Sequence, residues 1–74
     1  MAVRQAFSGT TLRARRTELG LSRDFVAWAV GRTVGSIANY ETGATTPSAD
    51  IVAALADVLE ITPADLFDQA SVDA

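Results

Sequence analysis

Leu21-Ser22-Arg23-Asp24-Phe25-Val26-Ala27-Trp28-Ala29-Val30-Gly31-Arg32-Thr33-Val34-Gly35-Ser36-Ile37-Ala38-Asn39-Tyr40-Glu41 reads as helix, tight turn, helix. Ser22 is suited to the N-cap, where its hydroxyl accepts an orphan backbone N–H of the first turn. Asp24 sits at the positive end of the helix dipole. Val26 and Val30 lie four apart on one face, with Ala27 beside them. Gly31 supplies a residue able to take positive φ at the helix C-terminus, and Thr33 can cap the next helix. In that second helix Ile37 and Tyr40 are apolar at i and i+3, while Ser36 and Asn39 fall on another face with Gly35 near them. One face belongs to a core and the other is polar. A second helix of that kind is what a helix-turn-helix places in a DNA major groove.

Outward from this stretch the pattern stays helical. Helix 1 is predicted from about Thr10 to Leu19, with Leu12 and Leu19 two turns apart on one face, Arg13, Arg15 and Arg16 around them, and Gly20 ending it. Helices 2 and 3 are predicted at Arg23 to Val30 and Val34 to Thr42, with Gly43 as the stop. Ser48 should cap helix 4, whose Ile51, Val52, Leu55, Ala56 and Leu59 fit the helical period. Thr62-Pro63-Ala64-Asp65 has the form of a helix start, with Pro at the first position and Asp three after the cap. Leu66 and Phe67 would give helix 5 its inner face. No strand pattern or repeat is visible. The expected organisation is an all-α domain of five short helices over 9–70, with an N-terminal arm at 1–8 and a loose tail at 71–74. Glu60 follows helix 4; if the turn there needs positive φ, Glu carries a strain of ~1 kcal/mol, and the alternative is a turn built differently.

The 74 residues carry a net charge of −3 and contain neither cysteine nor histidine, which removes disulfides and the usual thiolate and imidazole metal sites. No cofactor or metal is expected. The lack of cysteine is compatible with a reducing cytoplasm, the location expected here. No apolar run approaches the ~20 residues that span a bilayer, and no leader pattern opens the chain. The charge is divided. Residues 1–40 hold all six arginines (Arg4, Arg13, Arg15, Arg16, Arg23 and Arg32) against Glu18 and Asp24, a balance of +4. Residues 41–74 hold seven acids and no base, a balance of −7. One half can meet phosphates while the other stays away from them. A solvated acidic surface is the plainer account of the second half.

Taken together, Leu12-Arg13-x-x-Arg16-x-x-x-Gly20-Leu21-Ser22, Val26-Ala27-x-x-Val30-Gly31, Ser36-Ile37-x-x-Tyr40-Glu41-x-Gly43, Pro47-Ser48, Leu55-Ala56, Leu59 and Leu66-Phe67 resemble the phage lambda repressor-like helix-turn-helix family, also called the Cro/repressor or xenobiotic-response-element (XRE) type. The resemblance needs no gap and spans about residues 8–68. It implies a compact five-helix DNA-binding domain that works as a homodimer on double-stranded operator DNA. Arg16 and Glu41 match the family's pair linking helix 1 to the end of helix 3, a structural role. Helix 2 usually opens with Gln, whose amide contacts a phosphate; Arg23 stands there and brings a full charge. A solvent-exposed Arg is the alternative.

The family reads bases from the first turns of helix 3. The matching residues are Val34, Gly35, Ser36 and Asn39, preceded by Arg32 and Thr33. Asn39 can bond adenine N6 and N7, and Val34 can touch a thymine methyl. A plain solvated Asn is weighed evenly against that role. Gly35 lets backbone approach DNA, or marks a domain with weakened base readout. Thr42, Thr45 and Thr46 match positions near phosphates where Lys or Arg is more usual. Phe25 and Trp28 stand where the family is polar. The favoured expectation is that they fold back over helix 1 or Leu21; the alternative is an exposed patch for a protein partner.

The leading function is therefore a sequence-specific DNA-binding transcription regulator. A protein-interaction module of antitoxin or anti-repressor type, on the same fold, is the alternative. An enzyme is disfavoured, because no catalytic residue can be named: His, Cys and Lys are absent and no carboxylate dyad is evident.

Overall fold

A computed structural model describes residues 3–71, with side chains over 6–67. Strand β1 (Val3–Phe7) leads into α1 (Gly9–Glu18), α2 (Arg23–Val30), α3 (Val34–Thr42) and α4 (Ala49–Leu59); a short 3-10 helix (Pro63–Leu66) and strand β2 (Phe67–Ser71) follow. The caps explain most boundaries. The hydroxyls of Ser22 and Thr33 accept from the backbone N–H of Phe25 at 3.0 Å and of Ser36 at 3.1 Å. Gly31 turns the chain out of α2 at φ 73°. Its N–H donates to the Trp28 carbonyl, and that of Arg32 to Ala27 at 2.8 Å, so the orphan carbonyls at the helix end are satisfied within the turn. Ser48 occupies the N-cap of α4 but makes no side-chain cap bond.

The core is one cluster. Leu12, Val26, Ile37, Leu55, Leu59 and Leu66 are fully buried, joined by Ala27, Val30, Tyr40, Val52 and Ala56. Each fully buried aliphatic side chain contributes roughly 1.5–3 kcal/mol of transfer free energy. α3 packs on α1 and α2, and α2 also packs on α4. α3 is thus held along its inner side by two helices.

Two expectations are corrected. There is no fifth α-helix among the described residues. Thr62 and Asp65 do form a reciprocal capping box, with Thr62 N–H to Asp65 Oδ2 at 3.0 Å and Asp65 N–H to Thr62 Oγ1 at 3.3 Å. The turn it opens lasts four residues, and Phe67 is already extended at φ −119°, ψ 131°. Nor is the segment before α1 a free arm. β1 pairs antiparallel with β2, from Phe7 opposite Phe67 out to Val3 opposite Ser71. The physical reason lies at the base of the ladder. Phe7 meets Tyr40 and Phe67 edge to face, at centroid distances of 6.5 and 6.1 Å, and the Ser8 N–H donates to the Leu66 carbonyl at 2.7 Å. The two chain segments leave the core side by side, and backbone pairing satisfies both. Apart from Ser71, the expected tail lies outside the described residues.

Glu60 stands at φ 60°, ψ 41°, the one non-glycine of positive φ among the described residues. No described helix is long and apolar enough to cross a membrane.

Candidate nucleic-acid interface

The outer side of α3 and the turns flanking it gather the residues predicted for nucleic-acid contact. Val34, Gly35, Asn39 and Thr42 are exposed, Ser36 is half-buried, and Arg32, Thr33, Thr45 and Thr46 are exposed in the flanking turns. The Asn39 side-chain amide has no hydrogen-bond partner among the described residues, nor does the Arg32 guanidinium. Not every hydroxyl is so placed. Thr33 Oγ1 caps α3 and lies 3.0 Å from Ser36 Oγ, and Thr42 Oγ1 donates to the Asn39 carbonyl at 3.2 Å. Gly35 faces open space: beyond its chain neighbours and its own helix backbone, the atom nearest to a methyl added there would be Thr33 Oγ1, at 3.8 Å.

The inner end of α3 is built differently. The Glu41 carboxylate, its side chain 2% exposed, takes two arginines. Arg16 Nε donates to Oε2 at 2.6 Å and Arg16 Nη2 to Oε1 at 3.4 Å, while Arg16 Nη1 donates to the Leu21 carbonyl at 2.8 Å. Arg23 Nε donates to Oε1 at 3.0 Å. Burial pushes the Glu41 carboxyl upward, but the hydrogen bonds and charges of Arg16 and Arg23 outweigh it and hold the group below its ordinary value. One side chain therefore ties α1, the start of α2 and the end of α3 together.

Reading the sequence misses the Arg23 bond. It gives Arg23 wholly to solvent or phosphate, and eighteen residues separate Arg23 from Glu41. It also misses Gly9, at the first residue of α1. A Cβ there would meet the carbonyl oxygens of Tyr40 and, at 2.5 Å, of Glu41. Only a glycine lets α1 start this close to the end of α3. Arg15 proves structural as well, with Nε to the Leu59 carbonyl at 2.9 Å and Nη1 to Glu18 at 2.7 Å.

The favoured expectation for Phe25 and Trp28 is overturned. Trp28 is 78% exposed and Phe25 46%. Their rings lie against each other, centroids 6.1 Å apart and tilted by 42°. Their helical spacing puts them on the side of α2 away from Val26 and Val30, which fill the core.

Comparison with known proteins agrees with this geometry. A family model described as "Helix-turn-helix domain" matches residues 9–69. The restriction-modification controller protein C.AhdI from Aeromonas hydrophila is 34% identical, with a TM-score of 0.75 over 80% of this chain and 89% of its own. The P22 c2 repressor, solved with a synthetic operator, is 28% identical, with a TM-score of 0.78 over 82% of this chain and 92% of its own. The clp gene regulator ClgR from Corynebacterium glutamicum is 26% identical, with a TM-score of 0.75 over 78% of this chain and 62% of its own. No curated protein matches.

Proposed function

This chain belongs to the helix-turn-helix domain family, and on that premise we propose that it is a transcription regulator that binds operator DNA as a homodimer, reading half-sites with α3. The observation that carries the reading is the outer edge of α3: an exposed Asn39 amide with no internal partner among the described residues, beside Val34 and an open Gly35, on a helix whose other side is fixed. Asn39 would accept and donate to adenine, Val34 would touch a thymine methyl, and Gly35 would bring backbone near the groove. Ser36 and Thr33 lie at the same edge. Thr42 and Thr45 would donate to phosphates, and Arg23 and Arg32 would neutralise them. Two copies would meet half-sites about one helical turn apart. That one similar structure, the P22 c2 repressor, is bound to a synthetic operator supports this use of the fold.

The test is a selection of genomic fragments at low and physiological salt, with Asn39→Ala beside wild type. Wild type should enrich a two-fold-related sequence, and Asn39→Ala should relax it at one base pair per half-site. With Arg23 and Arg32, and Arg13 as a third at most, supplying the cations, the log–log salt slope should be shallow, about −2 to −3 per domain. A slope matching six to ten phosphates per domain would overturn that count. The exposure of Phe25 and Trp28 favours a second reading, an interaction module for a protein partner. It replaces the first if no fragment is retained above background.

A further inference from the structure

Arg16 and Arg23 share one carboxylate but share it unequally. All three nitrogens of Arg16 are engaged, and its side chain is 12% exposed. Arg23 uses Nε alone, and its side chain is 43% exposed. Its Nη1 and Nη2 have no partner among the described residues. Two guanidinium charges against one carboxylate leave a surplus of one positive charge, and the exposed member of the pair carries it outward.

From this we infer that Glu41 is a positioning residue for DNA: it holds Arg23 by Nε so that Nη1 and Nη2 take one backbone phosphate bidentately. The inference rests on the DNA-binding reading and adds a role for a residue that contacts no nucleic acid itself. A guanidinium is a planar fork with donors along more than one edge. Pinning Nε to Oε1 fixes the plane of that fork and leaves its terminal edge open. Phosphate recognition by arginine is commonly bidentate and depends on that geometry. Pre-ordering a long, rotamer-rich side chain also removes part of the entropy lost when it binds. Because Glu41 lies at the end of α3 and Arg23 at the start of α2, a phosphate gripped by this fork would set the depth of both helices at once. A purely structural role would need only Arg16, which already satisfies both carboxylate oxygens.

The charge of Glu41 makes the two accounts predict opposite signs. If Glu41 only braces the fold, replacing it by glutamine in a variant whose melt shows the fold intact removes a negative charge near DNA and tightens binding. If it positions Arg23, the same change weakens binding although the domain becomes more positive. The experiment measures binding of the full chain to a fluorescent random-sequence duplex across a salt series, for wild type, Glu41→Gln, Arg23→Gln and Arg23→Lys. Glu41→Gln should weaken binding by about threefold to tenfold. Arg23→Gln should reduce the magnitude of the salt slope by about 0.9, the share of one phosphate. Arg23→Lys keeps the charge but lacks the fork, and should lose affinity by a similar factor to Glu41→Gln.

The Arg23 Nε–H proton signal should be slow to exchange in wild type and fast in Glu41→Gln. Tighter binding by Glu41→Gln, wild-type affinity in Arg23→Lys, or an unchanged slope in Arg23→Gln each overturns the inference while leaving DNA binding intact. If Glu41→Gln fails to fold, the two Arg23 variants decide. A wild type that binds no duplex removes the DNA reading itself, and this assignment with it.

Discussion

On its inner side α3 gives Ile37 and Tyr40 to the core and Glu41 to two arginines. On its outer side Asn39 makes no side-chain bond to the described domain, Val34 is 42% exposed and Gly35 faces open space. The same nine residues therefore carry two jobs with little overlap. The inner contacts fix the helix axis against two neighbouring helices, α1 and α2. The outer residues can then be chosen for what they touch beyond the molecule, because the fold does not depend on them. An edge of this kind stays rigid without its own side chains holding it in place.

The largest expected break of the inner side is Arg16→Ala. Removing one partner of a buried ion pair costs ~3–5 kcal/mol. Here Arg23 remains on the carboxylate, so the lower end, about 3 kcal/mol, is expected by urea melt. A loss below about 1 kcal/mol would mean that the inner lock is redundant. The acid limb sharpens the point. Glu41 is held below its ordinary value of 4.5 in the folded state. Its contribution is then complete above that value and lost as pH falls through the lower folded one. Wild type should lose stability in that window, and Arg16→Ala should lose less of it.

Two glycines give the next test, because the same methyl should act in opposite directions. At Gly9 it would meet the carbonyls of Tyr40 and Glu41, backbone atoms that cannot swing aside, and Gly9→Ala should cost about 2 kcal/mol. At Gly35 there is open space, and Gly35→Ala should gain up to ~1 kcal/mol of helix propensity. If Gly35 exists to let backbone approach DNA, that gain comes with weaker operator binding. Thermal melts and a binding titration on the same two variants separate these effects. A destabilised Gly35→Ala would show that the outer edge is not independent of the fold.

How much of this is readable in the chain follows from distance along it. The caps at Ser22 and Thr33 and the stops at Gly31 and Gly43 are local, decided by residues within one turn, and the sequence displays them; the positive φ at Glu60 stays open there. The apolar spacing of α2 and α4 likewise anticipates Val26, Val30, Val52, Leu55 and Leu59 in the core. What stays hidden needs two distant segments at once. The Ser8 N–H bonds the Leu66 carbonyl, Gly9 lies under the end of α3, and Arg23 reaches Glu41. The β1–β2 ladder is of the same kind, since short segments without alternating hydrophobicity give no period to detect. Phe25 and Trp28 mislead for another reason: burial is the usual fate of large aromatics, and their exposure contradicts composition, not spacing.

The smallest stability effect is the one on which the comparison turns most finely. Asn39→Ala removes an exposed amide with no internal partner among the described residues, and Ala is the better helix former. The melt should therefore move by no more than about 0.5 kcal/mol, in the direction of greater stability. The same substitution is expected to alter base preference at one position of each half-site. A residue can be silent in one assay and decisive in the other only if folding and recognition have been assigned to different sides of one helix. Should Asn39→Ala unfold the domain as Arg16→Ala does, the amide has a structural partner when the protein is folded in solution, and the division drawn across α3 fails at its central residue.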